Sequence, residues 1–399
     1  MARTRIKIGV FELFSPTAFI ILFIASFLLF TLRLSYSIAP VSLDTVVYVI
    51  LCIIMFALGL VAANLRTKKG FVDVDVRTPY KWIWPFFFVG ISIYALEYVV
   101  FVARFGNLPI LLPDFENRRF DFPLNGYLHL MAMASRAPLL FIYAYFAKFG
   151  MRNLHKWGLF FAIFIVLIFD FMQGVRGAAL LFVVSLMVTY SAYRNIGSRF
   201  FLIAFLALVF LGVAKTWREY EMYGSSSLTS VEADSKLPGG VVGVSLYHLY
   251  MAFAYNFAML NEYISRLHEH FYGYFSIAYG VISLAPGEQY GLVNLQYDVL
   301  RRDFHAALTA TMLSYPYFDF GFLGCLVIGA LAWMVQTIYL NAYQTREIRY
   351  VAGYAYVCTN LFLGIYTYTF SEIHVQMNIA LLLFVFPIFS KLFVGRRYV

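Results

Sequence analysis

Charge is scarce in this chain. Only 13% of its 399 residues are Asp, Glu, Lys or Arg, about half the share of a soluble globular protein. With 62% hydrophobic residues and a mean hydropathy of +0.75, that scarcity excludes an ordinary soluble domain. Cysteine is scarce too. Cys52, Cys325 and Cys358 each sit inside an apolar run, so neither a disulfide framework nor a thiolate metal site is expected, and all three read as buried hydrophobes. There is no H-E-x-x-H pair, no Walker A loop and no G-x-S-x-G elbow, which excludes zincin, P-loop and α/β-hydrolase chemistry. No compact metal-ligand spacing occurs, so no metal and no cofactor is expected. The short polar–apolar alternation of an outer-membrane barrel is missing. So is any internal repeat, which removes the main support for an inverted-repeat transporter.

What the chain has in abundance is long apolar runs, at about 14–32, 44–63, 81–102, 128–147, 157–173, 177–193, 200–214, 318–340, 351–370 and 376–394. Most are near the length, about 17–25 residues, at which a helix crosses a hydrocarbon core. They predict an all-α polytopic membrane protein of about ten spans, twelve if two further apolar stretches also cross. The first run follows Arg3, Arg5 and Lys7 without an A-x-A-like site and reads as a retained helix rather than a cleaved leader.

Basic residues fix the expected orientation. If the N-terminus is inside, eighteen of the 30 Lys and Arg residues fall in inner loops, among them Arg66, Lys68, Lys69, Lys148, Arg152, Lys156, Arg346 and Arg349. The same segments hold only Glu12, Asp73, Asp75 and Glu347 as acids. Lys and Arg in short loops set topology, so both termini are expected in the cytoplasm of a bacterial inner-membrane protein. The net charge of +9 is then topological and requires no nucleic-acid partner.

Two outer loops are long, 103–127 and 215–317. The second carries apolar stretches at 241–264 and 272–285 that read as interfacial helices, a re-entrant element or an extra pair of spans. Segment 224–240 (GSSSLTSVEADSKLPGG) reads as a flexible stretch ahead of them. The whole chain reads as one membrane-embedded domain.

The outer side is unusual in favouring arginine: Arg104, Arg118, Arg119, Arg136, Arg176, Arg218, Arg266, Arg301 and Arg302 stand against Lys215 and Lys236. A guanidinium grips phosphate or carboxylate through two parallel hydrogen bonds, whereas an ammonium is a point charge. The set predicts an outward-facing anion site, for instance for a diphosphate; pairing with outer acids is the competing reading. Arg176 in GVRGAA is the sharpest candidate, either as a ligand-binding residue or as the ion-pair partner of Asp170. Arg136 in MASRAP is a second, with Pro138 expected to kink its helix. For acid–base work the outer side offers His248, His268, His270, His305 and His374 with Glu97, Glu262, Asp303, Asp319 and Glu372. His305 and Asp303 beside Arg301 and Arg302, and Glu372 beside His374, are the candidates that combine proton transfer with a nearby charge. Tyr220 and other outer aromatics fit sugar faces and equally fit a membrane-interface belt.

Three stretches resemble the oligosaccharide repeat-unit polymerases, the Wzy-type O-antigen and capsule enzymes: RFGNLPIL from Arg104 followed by PDFENRRFDFP, GVRGAA at Arg176, and TATMLSYPYFDFGFLG from Thr309 to Gly324. The resemblance implies a metal-independent, GT-C-like glycosyltransferase. Such an enzyme moves a glycan from undecaprenyl diphosphate onto the next lipid-linked repeat unit at the periplasmic face, with lipid-linked oligosaccharides as donor and acceptor and a chain-length regulator as a further partner. Arg176 matches the family's Arg-Gly position; Arg104, Arg218, Arg301 and Arg302 match in setting only, and no base carries over. An O-antigen ligase, which shares donor and side of membrane, is the nearest alternative. A lipid-linked oligosaccharide or anion transporter is the alternative from another class.

The orientation is directly testable. In a cysteine-free background, Phe120→Cys and Ser225→Cys should label with an impermeant maleimide in intact spheroplasts, and Gly70→Cys only after permeabilisation. Outside labelling at position 70 would overturn the orientation.

Overall fold

A computed structural model describes residues 10–66, 81–108, 126–172, 176–194, 232–237, 239–285, 290–300 and 310–389. It is helical throughout, about 83% by residue, with no strand among the described residues. The all-α expectation is met. Five segments are long and apolar enough to cross a membrane: Leu43–Arg66, Lys81–Phe105, Gly126–Phe149, Asn153–Asp170 and Ser314–Thr345. Pro16–Thr31, Ala179–Tyr193 and Ile373–Phe389 are shorter apolar helices. The loop residues 109–125 and the whole 195–231 segment, with the expected run at 200–214, lie outside the described residues.

The helices used below are α1 (Pro16–Thr31), α2 (Leu43–Arg66), α3 (Trp84–Phe105), α4 (Gly126–Met133), α5 (Arg136–Phe149), α6 (Asn153–Met172), α7 (Arg176–Tyr193), α8 (Gly240–Arg266), α9 (Leu292–Leu300), α10 (Ser314–Phe320), α11 (Gly324–Thr345), α12 (Ile348–Leu363) and α13 (Ile373–Ala380), the last continuing through a π turn at Leu381–Val385. Their ends follow local chemistry. The Ser42 hydroxyl accepts the Thr45 amide at 3.1 Å, an N-cap for α2. Gly106 at φ +74° closes α3 by donating to the Val102 carbonyl, a left-handed stop that glycine adopts without strain.

The 24-residue apolar segment Gly126–Phe149 is not one helix. It breaks at Ala134 and Ser135, four residues ahead of Pro138, which has no amide to donate and whose ring crowds the carbonyl at position 134. The expected kink is therefore present. The carbonyl of Met133 accepts instead from the Asn378 side-chain amide at 3.3 Å, the kind of replacement partner that a broken helix needs in hydrocarbon.

One expected run is shortened and one open alternative falls away. The run at 351–370 stops being helical at Leu363. Gly364 donates back to Asn360 and accepts the Met312 amide at 2.7 Å, and residues 364–366 form a turn rather than a continuing helix. The stretch 272–285 folds as a π turn at Tyr274–Ala278 and one helical turn at Tyr279–Ile282, so it is too short to cross and the extra pair of spans does not form.

Packing centres on α2 and α11. A Cβ on Gly59 would overlap the carbonyl oxygen of Gly329, and a Cβ on Gly329 would lie 3.1 Å from the Met55 carbonyl. Small residues let two backbones touch where lipid supplies no hydrophobic drive for association. Around this seam the core is dense with rings; Phe257 of α8 meets Phe23 at 5.1 Å and Phe27 at 5.4 Å. At one end of the bundle the Arg346 carbonyl accepts from Lys148 Nζ and the Tyr193 hydroxyl, both at 3.1 Å, and Tyr343 donates to Glu12 at 3.1 Å. At the other end Asp234 is held by Ser35, Ser37 and Tyr247.

Asp319, an expected acid–base candidate, is instead a buried clasp. Its carboxylate accepts the amides of Phe275 at 3.0 Å and Ser276 at 2.6 Å and the Ser276 hydroxyl. The conspicuous Asp319–Phe320–Gly321 sequence thus ties the 271–276 segment to α10, with Gly321 at φ +56° packed against His270.

Gly59→Val should force the α2–α11 seam apart, a loss of about 1–3 kcal/mol by overpacking. A thermal-shift assay on detergent-solubilised protein should show a lower Tm for Gly59→Val and a near-native one for the peripheral Gly158→Ala. An unchanged Tm for Gly59→Val would contradict the close crossing.

Candidate functional site

The break in Gly126–Phe149 has a chemical consequence. It sets His129, Met133 and Arg136 along one wall of a cavity of about 350 Å³. α12 supplies Tyr356, Thr359, Asn360 and Leu363 at helical spacing, α7 supplies Leu181, Phe182 and Ser185, and the turn into α13 supplies Tyr366, Thr367, Thr369, Glu372 and His374. Four separate parts of the chain thus converge on one hollow whose lining sets polar side chains among apolar ones.

Three acid–base pairs surround it. His129 Nδ1 lies 3.0 Å from Glu97 Oε2, and Glu97 is fully buried in α3. The carboxylate orients the ring and would stabilise an imidazolium, leaving Nε2 as the second ring nitrogen of a cavity-lining residue. His374 Nε2 lies 3.4 Å from Glu372 Oε2. Arg136 is ion-paired with Asp170, both buried, and Tyr94 adds a hydrogen bond to the same Asp170 oxygen at 3.2 Å. Asp170 is therefore held by Arg136 rather than reserved for Arg176. The pair is incompletely satisfied: Arg136 Nε and Asp170 Oδ2 have no protein partner.

Glu372 and His374 keep 40% and 34% of their side-chain surface, and that surface belongs to the cavity wall. Dense protein around Glu372 disfavours the charged form, so burial pushes its carboxyl up to about 7. The rest of the wall is uncharged and rich in hydroxyls. Ser185 and Thr359 share a hydrogen bond of 2.7 Å, and Thr369 donates to Asn360 at 2.9 Å. Asn378 links the break to the wall, donating to the Tyr356 hydroxyl at 3.0 Å as well as to Met133.

Of the residues singled out from sequence, Arg136 and Glu372 line the cavity, with His374 beside them. Arg176 opens α7, five residues before the first wall residue of that helix, though its side chain lies outside the described residues. Arg104 is exposed at the end of α3 with its guanidinium 5.1 Å from the Phe105 ring, away from the cavity lining. Arg118, Arg119, Arg218, Tyr220, Arg301, Arg302, Asp303 and His305 lie outside the described residues. His129 was not singled out at all. Its signal was the spacing His129–Met133–Arg136, which in the sequence reads as one face of a helix. The hydroxyl wall was legible only as the unusually polar end of an apolar run.

A hollow of this size, lined by histidine, carboxyl, guanidinium and many neutral donors, suits a polyhydroxylated ligand and proton transfer to or from it. Among the described residues no group of three or more metal-ligating side chains forms a metal site. The chain matches no family model, no curated protein and no solved structure.

The raised Glu372 pKa gives a signed prediction. Folding lifts it above the usual 4.5, so the folded state holds this proton more tightly than the unfolded chain. The contribution is present below about pH 4.5 and is lost as pH rises toward about 7. Thermal unfolding should therefore show a decline in Tm over that window for the wild type that is smaller in Glu372→Gln. Equal declines would place the Glu372 pKa back in the ordinary range.

Proposed function

We propose that this chain is a membrane glycosyltransferase that joins lipid-linked oligosaccharide repeat units, a polymerase of the Wzy type working at the outer face of the bacterial cytoplasmic membrane. The observation that carries the reading is the cavity itself: a carboxylate-backed histidine, a second carboxyl near neutrality and a buried guanidinium face a wall of neutral hydroxyl and amide groups.

The chemistry follows from the bonds involved. The acceptor hydroxyl oxygen attacks the anomeric carbon, the bond from that carbon to the phosphate oxygen breaks, and undecaprenyl diphosphate leaves with the electron pair. His129 Nε2 takes the hydroxyl proton, and Glu97 behind Nδ1 balances the imidazolium that forms. Charge grows on the bridging phosphate oxygen, where preorganised donors act most strongly. Arg136 presents such donors, but Asp170 offsets its charge. The additional cation in this reading is Arg176, at the head of α7, where the helix dipole also favours an anion. Neutral wall residues such as Asn360, Thr359 and Thr369 hold the sugar. Glu372, near half-protonated at neutral pH, assists either by accepting or by donating a proton.

Purified protein in proteoliposomes, supplied with lipid-linked repeat units, should make lipid-diphosphate-linked polymer and should still do so in EDTA. His129→Ala should lower the rate by about 10²–10⁴ and Arg176→Lys by about 10²–10³, both at normal protein levels. Full activity in His129→Ala would move the base to Glu372 or to the 301–305 segment. Transfer of glycan to lipid A core instead of a second repeat unit would establish a ligase. Passage of the lipid-linked unit across the bilayer without bond formation would establish a transporter.

A further inference from the structure

α8 packs one face on the hairpin of α1 and α2. Tyr250 accepts the Leu34 amide at 3.1 Å, Phe257 sits among Phe23, Phe27 and Phe30, and Asn261 accepts the Ser42 amide at 2.8 Å and donates to the Pro40 carbonyl at 3.1 Å. Tyr250 and Asn261 are about 16 Å apart along a helix axis. Both nevertheless bond to the same turn, residues 34–45. A helix running down alongside α1 would carry Asn261 far below that turn. α8 therefore lies across the end of the hairpin.

The flank of α8 beside that face is also apolar. Val242, Leu246 and Leu249, at spacings of four and three, are 74%, 49% and 56% exposed. No Asp, Glu, Lys or Arg occurs between Gly240 and Asn261. An apolar flank left uncovered on a helix without charged residues belongs against a hydrophobic medium. On the adjoining end of α1, Leu28 and Leu32 are likewise exposed, so the apolar surface continues from the hairpin onto α8. At the same end lies exposed Tyr36 with Lys236 Nζ 5.0 Å from its ring, a pairing of aromatic and cation typical of the bilayer–water boundary.

We propose that α8 is an interfacial helix, lying in the boundary layer of the bilayer with Val242, Leu246 and Leu249 among the acyl chains. The lipid then bears on the cavity as well. The segment after α8 reaches over the cavity's two sides: Tyr127, two residues before His129, donates to the Leu284 carbonyl, and Gly280 packs against the carbonyl of Ser371, the residue before Glu372. A membrane-seated α8 holds that roof at a fixed height. The proposal does not depend on the glycosyltransferase reading.

Spin labels at Val242→Cys, Leu246→Cys and Leu249→Cys, each in a Cys52→Ala, Cys325→Ala, Cys358→Ala chain reconstituted in phosphatidylglycerol–phosphatidylethanolamine vesicles, test it by power-saturation EPR. The expected result is preferential collision with oxygen over a water-soluble nickel chelate at all three sites, with nearly equal depths about 5–10 Å below the headgroups. Depth changing by about 1.5 Å per residue from 242 to 249 would make α8 a spanning helix and overturn the proposal. Ready collision with the nickel chelate would place the stripe in water, and low collision with both reagents would mean that protein covers it; either result overturns it. Should the cysteine-free chain fail to fold, the difference in quenching by bromolipids of graded bromine depth between the parent chain, with its five tryptophans, and each of Val242→Trp and Leu249→Trp decides between the same outcomes.

Discussion

The ion pair between Arg136 and Asp170 is the constraint around which the described part of this protein is arranged. Both residues are buried within segments long and apolar enough to cross a membrane, where an unpaired charge is expensive. The pair joins α5 to α6 immediately beside the break that Pro138 imposes. Removing one partner of such a pair strands the other, a loss of about 3–5 kcal/mol. On the near side of that break, His129 lines the cavity together with residues of α12 and α13. The break, the pair and the cavity are one structural event.

Everything polar in the interior answers to the same rule, that a backbone or side-chain dipole in hydrocarbon must find a protein partner. Asn378 closes the gap left at Met133 and holds Tyr356 in the same act. Asp319 does the equivalent for the π turn at 274–278. Glu97 has one oxygen on His129 and the other without a protein partner. Arg136 Nε and Asp170 Oδ2 are likewise without a protein partner beside the cavity, where a ligand could supply one, and the clasp at Asp319 is comparatively well satisfied.

The apolar runs made the helices legible, because period and length are local properties of a sequence. The interruption before Pro138 was legible because a proline acts on its own helix, which is equally local. The early end at Leu363 was not, since the residues beyond it, Ile365, Tyr366, Tyr368 and Phe370, are apolar enough to extend a run; what stops the helix is a tertiary hydrogen bond from Met312. The pairing of Asp170 with Arg136 was hidden by sequence distance, since 34 residues separate the two. His129 was passed over because a single histidine carries no motif, and its meaning lies in Glu97 on a different helix.

The central claim is that the cavity between α4, α7, α12 and α13 receives the lipid-linked glycan. Photocrosslinking measures this directly. With p-benzoylphenylalanine replacing Tyr366 on the cavity wall, or Tyr343 at the opposite end of the bundle as a control, irradiation in the presence of an undecaprenyl-diphosphate-linked repeat unit should give a glycan-bearing adduct at position 366 and none at 343. An adduct at 343 with none at 366 would contradict the account.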